Sequence, residues 1–534
     1  MPHPTPRRWT VAAALAGTLA LTVPSAVTAA PGEAGDAGAL APTAAAVPVQ
    51  QVLDHLEVFQ AVAHANGGNR ASGTPGYRGS ADYVVGRLRA AGYTPRVQSF
   101  SFPFFQEIVP TTVAVPGPGG VPRTLTAAEA AVMVYSGSGT VTAPVQAVDT
   151  TGAPAASTSG CEAEDFAGFT AGSVALLQRG TCTFGVKAAN AQAAGASAVL
   201  IFNTGLPGEE GVVAGTLGEP GATTLPVVGL SHAAGTALLG GGEVTVTAQT
   251  VSENRETFNV LAETGSGDPE STVMVGAHLD SVPEGAGIND NGSGSAGILA
   301  IAEALAGTET ANTVRFAWWG AEEFGLRGSR HYVADLKAND PAALEDIAVY
   351  LNFDMIGSPN YGRFVYDGDH SAFPPVQGPD GPVTAPAGSA AIEAAFHEHF
   401  GSVGLASGET EFSGRSDYGP FIAEGVPSGG LFTGAEGIKT AEQAALFGGR
   451  TGVAYDFCYH GACDDLANVD ARGLGEMTDA AAAVIQRFAA STRDVDGTGA
   501  DESAQQDGRG LPLGPATADQ GSGPHSAADD VPVQ

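Results

Sequence analysis

Residues 271–323 read STVMVGAHLDSVPEGAGINDNGSGSAGILAIAEALAGTETANTVRFAWWGAEE. STVMVGA is a short apolar run with no alternation, the signature of a strand buried on both faces. ILAIAEALAG carries apolar residues at helical spacing, and VRFAWWG is a second buried run. A further helix and then AVYLNFDMI, residues 348–356, continue the series. Strand and helix in alternation predict an α/β fold, with a central mostly parallel sheet flanked by helices.

The three runs share a feature at their carboxyl ends. The first ends in His278 and Asp280, the second in Glu322 and Glu323, and the third in Asp354. Asp290 precedes the helix that begins near Gly292, and His460 lies far downstream in FCYHGAC. Sites in open α/β sheets form outside the carboxyl ends of the strands. A mixed His and carboxylate set suits zinc. One ion needs three or four ligands, so His278, Asp290, Glu323, Asp354 and His460 suit two zinc ions sharing one bridging carboxylate. Two Zn²⁺, three carboxylates and a hydroxide sum to zero charge. Adjacent Glu322 and Glu323 would repel each other if buried without cations. With cations, one can bind metal while the other takes a proton from water.

Upstream, residues 48–106 carry two helical patterns, VQQVLDHLEVFQAVAHAN and GSADYVVGRLRAAGY. Residues 107–251 change texture. Short β-rich runs such as VALLQR and AVLIFNT alternate with Gly and Pro turns around a small Ala-rich helix, and they predict a separate β-rich module. The strand–helix pattern occupies 252–492 and ends in the helix TDAAAAVIQRFAAS. Residues 493–534 are acidic and poor in apolar residues, which predicts a disordered tail.

The chain of 534 residues has 23 Lys and Arg against 57 Asp and Glu, so its formal charge is 23 − 57 = −34. Such a surface repels nucleic acid and anionic membrane, and neither is expected as a partner. Residues 1–30 have the form of a signal peptide: Arg7 and Arg8, an apolar run too short to span a bilayer, then AVTAA. Residues 31–47 read as a propeptide or linker. A secreted, extracellular protein is expected. Four cysteines fit such a protein and allow three disulfide pairings. The simplest is local, Cys161 with Cys182 and Cys458 with Cys463. A zinc finger is disfavoured by the spacing of the histidines.

HLDSVPEGAGINDNGSGSAG, RFAWWGAEEFGLRGS, YLNFDMIGSPN, GRSDYGPF, PSGGLFTGAE and FCYHGACDDLAN, with NGGNRASGTPGYRGSADYV near the start, resemble the motifs of the secreted di-zinc aminopeptidases of the streptomycete type, peptidase family M28. The resemblance spans 48–106 and 252–492. It implies that His278 and Asp354 hold one zinc, Glu323 and His460 the other, and that Asp290 bridges them. It also implies Glu322 as general base, Asp280 as the acid behind His278, and Tyr459 as a donor to the oxyanion. Arg415 matches a position in the GRSD segment, and Phe432 matches an apolar specificity pocket. Some relatives bind Ca²⁺ near the last helix; Asp479 matches one acid there, but Gly475 stands where another is expected. Residues 107–251 resemble a protease-associated (PA) domain, which is not catalytic.

Other patterns carry less. GSGSAG at 292–297 has the G-x-G-x-x-G spacing but does not directly follow a strand, so a helix start beside the metals fits better than a nucleotide site. His397, Glu398 and His399 read as a solvated helix face. Asn291-Gly-Ser is a sequon in form only. The function expected is a secreted zinc aminopeptidase removing apolar N-terminal residues from peptides or proteins with a free N-terminus. The rivals are a di-zinc carboxypeptidase or dipeptidase, which would need a cationic clamp beyond Arg415, and a non-catalytic binding module, which would have lost ligands.

Overall fold

The computed structural model describes residues 47–495 except 118, 120, 379 and 380. The segment expected as signal peptide, nearly all of the one expected as propeptide or linker, and all but the first residues of the one expected as an acidic tail lie outside the described residues. The core is a sheet whose central strands are Asp268–His278, Asn312–Trp319, Ile347–Phe353 and Ser428–Phe432, all parallel to one another. Strand Glu243–Glu263 closes one side antiparallel, and Phe364–Tyr366 and then Gly408–Thr410 form the other edge.

Side-chain alternation on these strands feeds two separate apolar layers. Val273, Val275, Val314, Phe316, Trp318, Val349 and Leu351 point to one layer. It is completed by helices Val49–Ala65, Pro75–Ala90, Gly294–Leu305, Ser389–Ser402 and Ala471–Ala490. Met274, Ala317, Trp319 and Tyr350 point to the other, with Tyr332, Leu336 and Phe421 of helices Arg327–Asn339 and Gly419–Ala423. Covering both faces is what makes continuous apolar runs the correct strand signal here. The helices start where capping chemistry allows. The Thr74 side chain accepts from the Tyr77 N–H with Pro75 in the first turn, and Asp470 accepts from the Gly473 N–H.

Gly276 sits mid-strand because of close packing. A Cβ there would stand 2.1 Å from the Tyr350 hydroxyl and 2.6 Å from the Trp319 indole nitrogen.

Strands Arg96–Val115 and Glu243–Glu263 pair antiparallel from Arg96–Leu261 to Ala114–Thr245. This long ribbon leaves the catalytic sheet and enters a second one. There, Gly139–Ala147 pairs with the start of Glu243–Glu263, followed by parallel Val174–Gln178, Ala198–Phe202 and Val227–Leu230. Helix Phe184–Ala193 lies between two of these strands in sequence. The second module has its own apolar interior, centred on Val174, Leu176, Leu200, Phe202 and Val228. Both local disulfides are formed, Cys161–Cys182 and Cys458–Cys463, with Cα separations of 5.8 and 5.2 Å.

The ribbon also braces the catalytic half. Phe100, Phe102 and Phe104 pack on Ala321 and Phe324, which bracket Glu322 and Glu323. Ring centroids lie 5.1 Å apart for Phe102 and Phe324, and 5.2 Å for Phe104 and Phe324.

Candidate active site

His278 is the last residue of its strand, Glu322 and Glu323 follow Trp319 closely, and Asp354 follows Phe353. The parallel register pairs Trp319 with His278, so these strand ends meet. Asp290 comes from the non-helical turn that leads into helix Gly294–Leu305; its peptide bond to Asn291 is cis. Gly294 lets that helix begin against the main chain of the third strand, since a Cβ would stand 2.1 Å from the Phe353 carbonyl oxygen. The GSGSAG segment is thus a packing device beside the cluster. His460 arrives on the turn closed by Cys458–Cys463, where its ring stacks on Tyr459 at 3.9 Å.

The two imidazoles face one carboxylate. Asp290 Oδ1 lies 3.3 Å from His278 Nε2, and Asp290 Oδ2 lies 3.3 Å from His460 Nε2. On the outer flanks, Asp354 Oδ1 is 3.2 Å from His278 Nε2, and Glu323 Oε2 is 3.1 Å from His460 Nε2. All five expected ligands therefore form one chain, Asp354, His278, Asp290, His460, Glu323, with His278, Asp290 and Glu323 buried and Asp354 and His460 partly exposed. The Glu322 carboxylate also comes within 4.8 Å of donor atoms of His278 and Asp354.

This concentration of buried acids and imidazoles shifts the proton affinities of Glu322, Glu323, Asp290, His278 and His460. Burial drives Glu322 well above the usual carboxylate range, helped by Asp417, Glu323 and Asp354 and opposed by His278. Burial raises Glu323 to about 7. Burial opposes the shift of His460, yet Glu323 and Asp290 raise it to about 12, and His278 rises well above its ordinary value chiefly through Asp354 and Glu322. Burial opposes ionisation of Asp290, yet both histidines hold its carboxylate well below the usual range. Glu323 Oε1 is buried with no hydrogen-bond partner among the described residues. A buried lone pair left unmatched, in a His and carboxylate set, fits a metal ligand.

Asp280 differs in detail from the expected arrangement. Its carboxylate Oδ1 stands 3.8 Å from His278 Nδ1, and its own carbonyl oxygen is nearer, at 3.2 Å. Oδ1 instead accepts the Glu322 N–H at 3.2 Å. Arg415 is exposed, on the loop just before Ser416. Phe432 ends strand Ser428–Phe432 and packs with Phe364, Phe447 and Tyr455. Asp479 belongs to none of the three-donor groupings found among the described residues, and Gly475 lies against Val49.

Several supporting residues were not singled out by the sequence reading. Ser416 Oγ donates to Asp354 Oδ2 at 2.7 Å. Asp464 accepts the Asn289 and Asp290 N–H groups at 2.8 and 2.9 Å, which fixes the turn carrying Asp290. Arg70 is fully buried and donates to the carbonyls of Leu279, Ala286 and Gly287, holding the ligand loop from the other side. Asp417 is fully buried, and burial raises it to about 7. All four lie inside quoted motifs, and that adjacency was the available signal. The histidines at 397 and 399 depart from the solvated face expected. His397 is only partly exposed and points at Glu393, while Glu398 is exposed and pairs with Arg487 at 2.5 Å. A cavity of about 700 Å³ lined by Tyr93, Arg96, Glu263 and Arg315 contains none of the cluster residues.

Residues 259–485 match the family model described as Peptidase family M28, and residues 141–238 match that of the PA domain. An aminopeptidase of Pseudomonas aeruginosa is 48% identical over 456 residues, covering 83% of this chain and 82% of that protein. The chain belongs to peptidase family M28. Leucine aminopeptidase 2 of Arthroderma otae is 42% identical over 435 residues, covering 80% of this chain and 81% of its own. Among solved structures, the aminopeptidase of Aneurinibacillus sp. strain AM-1 superposes with a TM-score of 0.58 at 23% identity, over 82% of this chain and 93% of that one. A zinc aminopeptidase of Bacillus subtilis superposes at 0.54 and 24% identity, over 84% and 98%. At those identities the structures speak for the fold. As an M28 peptidase with a PA domain, the chain joins the two sheets through the ribbon described above. No helix among the described residues is long and apolar enough to cross a membrane.

Proposed function

We propose that this M28 metallo-aminopeptidase is a secreted enzyme that works with two zinc ions, held by His278 and Asp354 on one side and Glu323 and His460 on the other, with Asp290 between them. The observation that carries this is Asp290 itself, with one oxygen 3.3 Å from each histidine Nε2. Zinc supplies Lewis acidity toward water and toward the scissile carbonyl. Glu322, adjacent to Glu323 but not needed as a ligand, takes the proton of the attacking water and returns it to the leaving nitrogen. Tyr459 donates to the oxygen that gains charge in the transition state. Asp280 fixes the Glu322 main chain and backs His278. The substrate α-ammonium is drawn by Glu322 and Asp354, with Arg415 ordering the adjoining loop. The side chain of the first residue enters the pocket near Phe432, which favours Leu, Met or Phe in a graded way, about 1–3 kcal/mol per methylene.

The catalytic domain is assigned to 48–106 and 252–492 and the PA domain to 107–251. Substrates are peptides or proteins with a free N-terminus; the two disulfides and the leader-like residues 1–30 support export. The test is hydrolysis of Leu-p-nitroanilide alongside an N-acetylated peptide, with elemental analysis. Two zincs per active chain, turnover lost to chelator and restored by zinc, and no cleavage of the blocked peptide are expected. Full activity with one zinc or none would overturn the two-metal assignment.

A further inference from the structure

Helix Ser389–Ser402 and edge strand Gly408–Thr410 bring together a second set of donors that shares no residue with the cluster above. Glu393 and His397 are one helical turn apart and lie on the same face. Glu409 reaches them from the edge strand. A ligand atom from each lies within 4.8 Å of the other two. We propose that Glu393, His397 and Glu409 form a separate metal site for one divalent cation of the zinc type.

The ring of His397 is oriented for this task. Its Nδ1 lies 2.8 Å from Ser407 Oγ, and with the proton on Nδ1 the Nε2 lone pair faces the two carboxylates. Nε2 is 3.6 Å from Glu393 Oε1 and 4.0 Å from Glu409 Oε1. Both separations exceed a hydrogen bond. Bonds of about 2.0–2.2 Å at the tetrahedral angle set two ligand atoms roughly 3.3–3.6 Å apart, so the Glu393 separation matches donors sharing one ion and Glu409 would close in slightly on binding. His397 Nε2 and Glu409 Oε2 are both out of contact with solvent and lack hydrogen-bond partners among the described residues.

The remaining polar atoms are already engaged. Glu393 is only 6% exposed, and its Oε2 accepts the Gly368 N–H at 2.8 Å. Asp367, grouped with Glu393, accepts the main-chain N–H groups of Ser371, Ala372 and Phe373 at 3.0, 3.1 and 2.7 Å. Asp367 thus adds negative charge without competing as a ligand. A neutral imidazole favours a borderline ion such as zinc over the all-oxygen preference of calcium. The ion would tie the edge strand of the catalytic sheet to the helix that packs on it.

The experiment uses the full chain, stripped with chelator and dialysed against zinc. Wild type is expected to hold one more zinc per chain than His397→Ala or Glu409→Gln, and its melting temperature to rise with that last equivalent. Both variants keep Leu-p-nitroanilide turnover and the catalytic zinc, which separates this site from the catalytic one. Should His397→Ala fail to fold, Glu409→Gln gives the comparison, because its size is unchanged. Equal zinc content in wild type and a folded variant overturns the proposal and leaves a His–carboxylate ion pair. Displacement of the extra zinc by calcium overturns the assigned ion class.

Discussion

Changing Glu322 to Gln conserves size and shape at a position whose main chain is held by the Asp280 carboxylate. The four contacts joining Asp354, His278, Asp290, His460 and Glu323 do not involve it. The variant should therefore keep its metal and lose proton transfer. That predicts a fall in kcat of about 10²–10⁴-fold. At about 1.36 kcal/mol per tenfold, the barrier rises by roughly 2.7–5.4 kcal/mol. Changing Glu323 to Gln removes the carboxylate 3.1 Å from His460 Nε2 and should act on metal affinity first. The contrast is informative because Glu322 also lies within reach of the His278 and Asp354 donors, so proximity alone would admit it as a ligand. The assay is steady-state hydrolysis of Leu-p-nitroanilide over a range of free zinc, with metal content measured on the same samples. Glu322→Gln should stay slow at saturating zinc with full occupancy, while Glu323→Gln should recover in part as zinc is raised. Metal loss in Glu322→Gln, or zinc-insensitive slowness in Glu323→Gln, would refute the division of roles.

Ser416→Ala removes the donor to Asp354 and should weaken zinc binding about 10–100-fold with little change in kcat at saturating zinc; chelator competition measures it. Glu303 is held below the usual range, at about 2: burial opposes the shift, but His55 and a two-pronged contact from Arg87 outweigh it. A depressed folded pKa contributes stability above the ordinary value near 4.5 that is lost as pH falls toward 2. The melting-temperature gap between wild type and Glu303→Gln should hold at pH 6 and shrink steadily from pH 5 to pH 2.5; a gap independent of pH would be the wrong result. Gln106 and Val251 face each other across the ribbon, so residues 107–250 can be replaced by an Asn-Gly turn. Phe100, Phe102 and Phe104 remain to support the Glu322 loop, and hydrolysis of Leu-p-nitroanilide should persist while longer peptides are affected more. A folded, zinc-loaded variant inert toward the small substrate would make the module part of the active site.

The one-dimensional pattern was enough for the strands of the catalytic sheet, because a strand buried on both faces must be apolar along its middle, as Val273–Ala277 is. It also singled out five candidate ligands and Glu322, since loops after such strands have few reasons to carry His and acid together, and the fold brings those side chains into one cluster. The local disulfides followed from short spacing. What the sequence could not contain is which groups from different elements complete each other. Asp290 faces two histidines only because the turn before Gly294 is held by Asp464 from one side and Arg70 from the other. Asp354 is aimed by Ser416, and Glu322 and Glu323 rest on phenylalanines from the ribbon. His397 looked like a solvated residue because its partners come from beyond its helix, Glu409 from the edge strand and Ser407 from the segment just before it. Periodicity is local and survives in sequence, whereas donor geometry is a relation between distant segments and exists only once the core has packed.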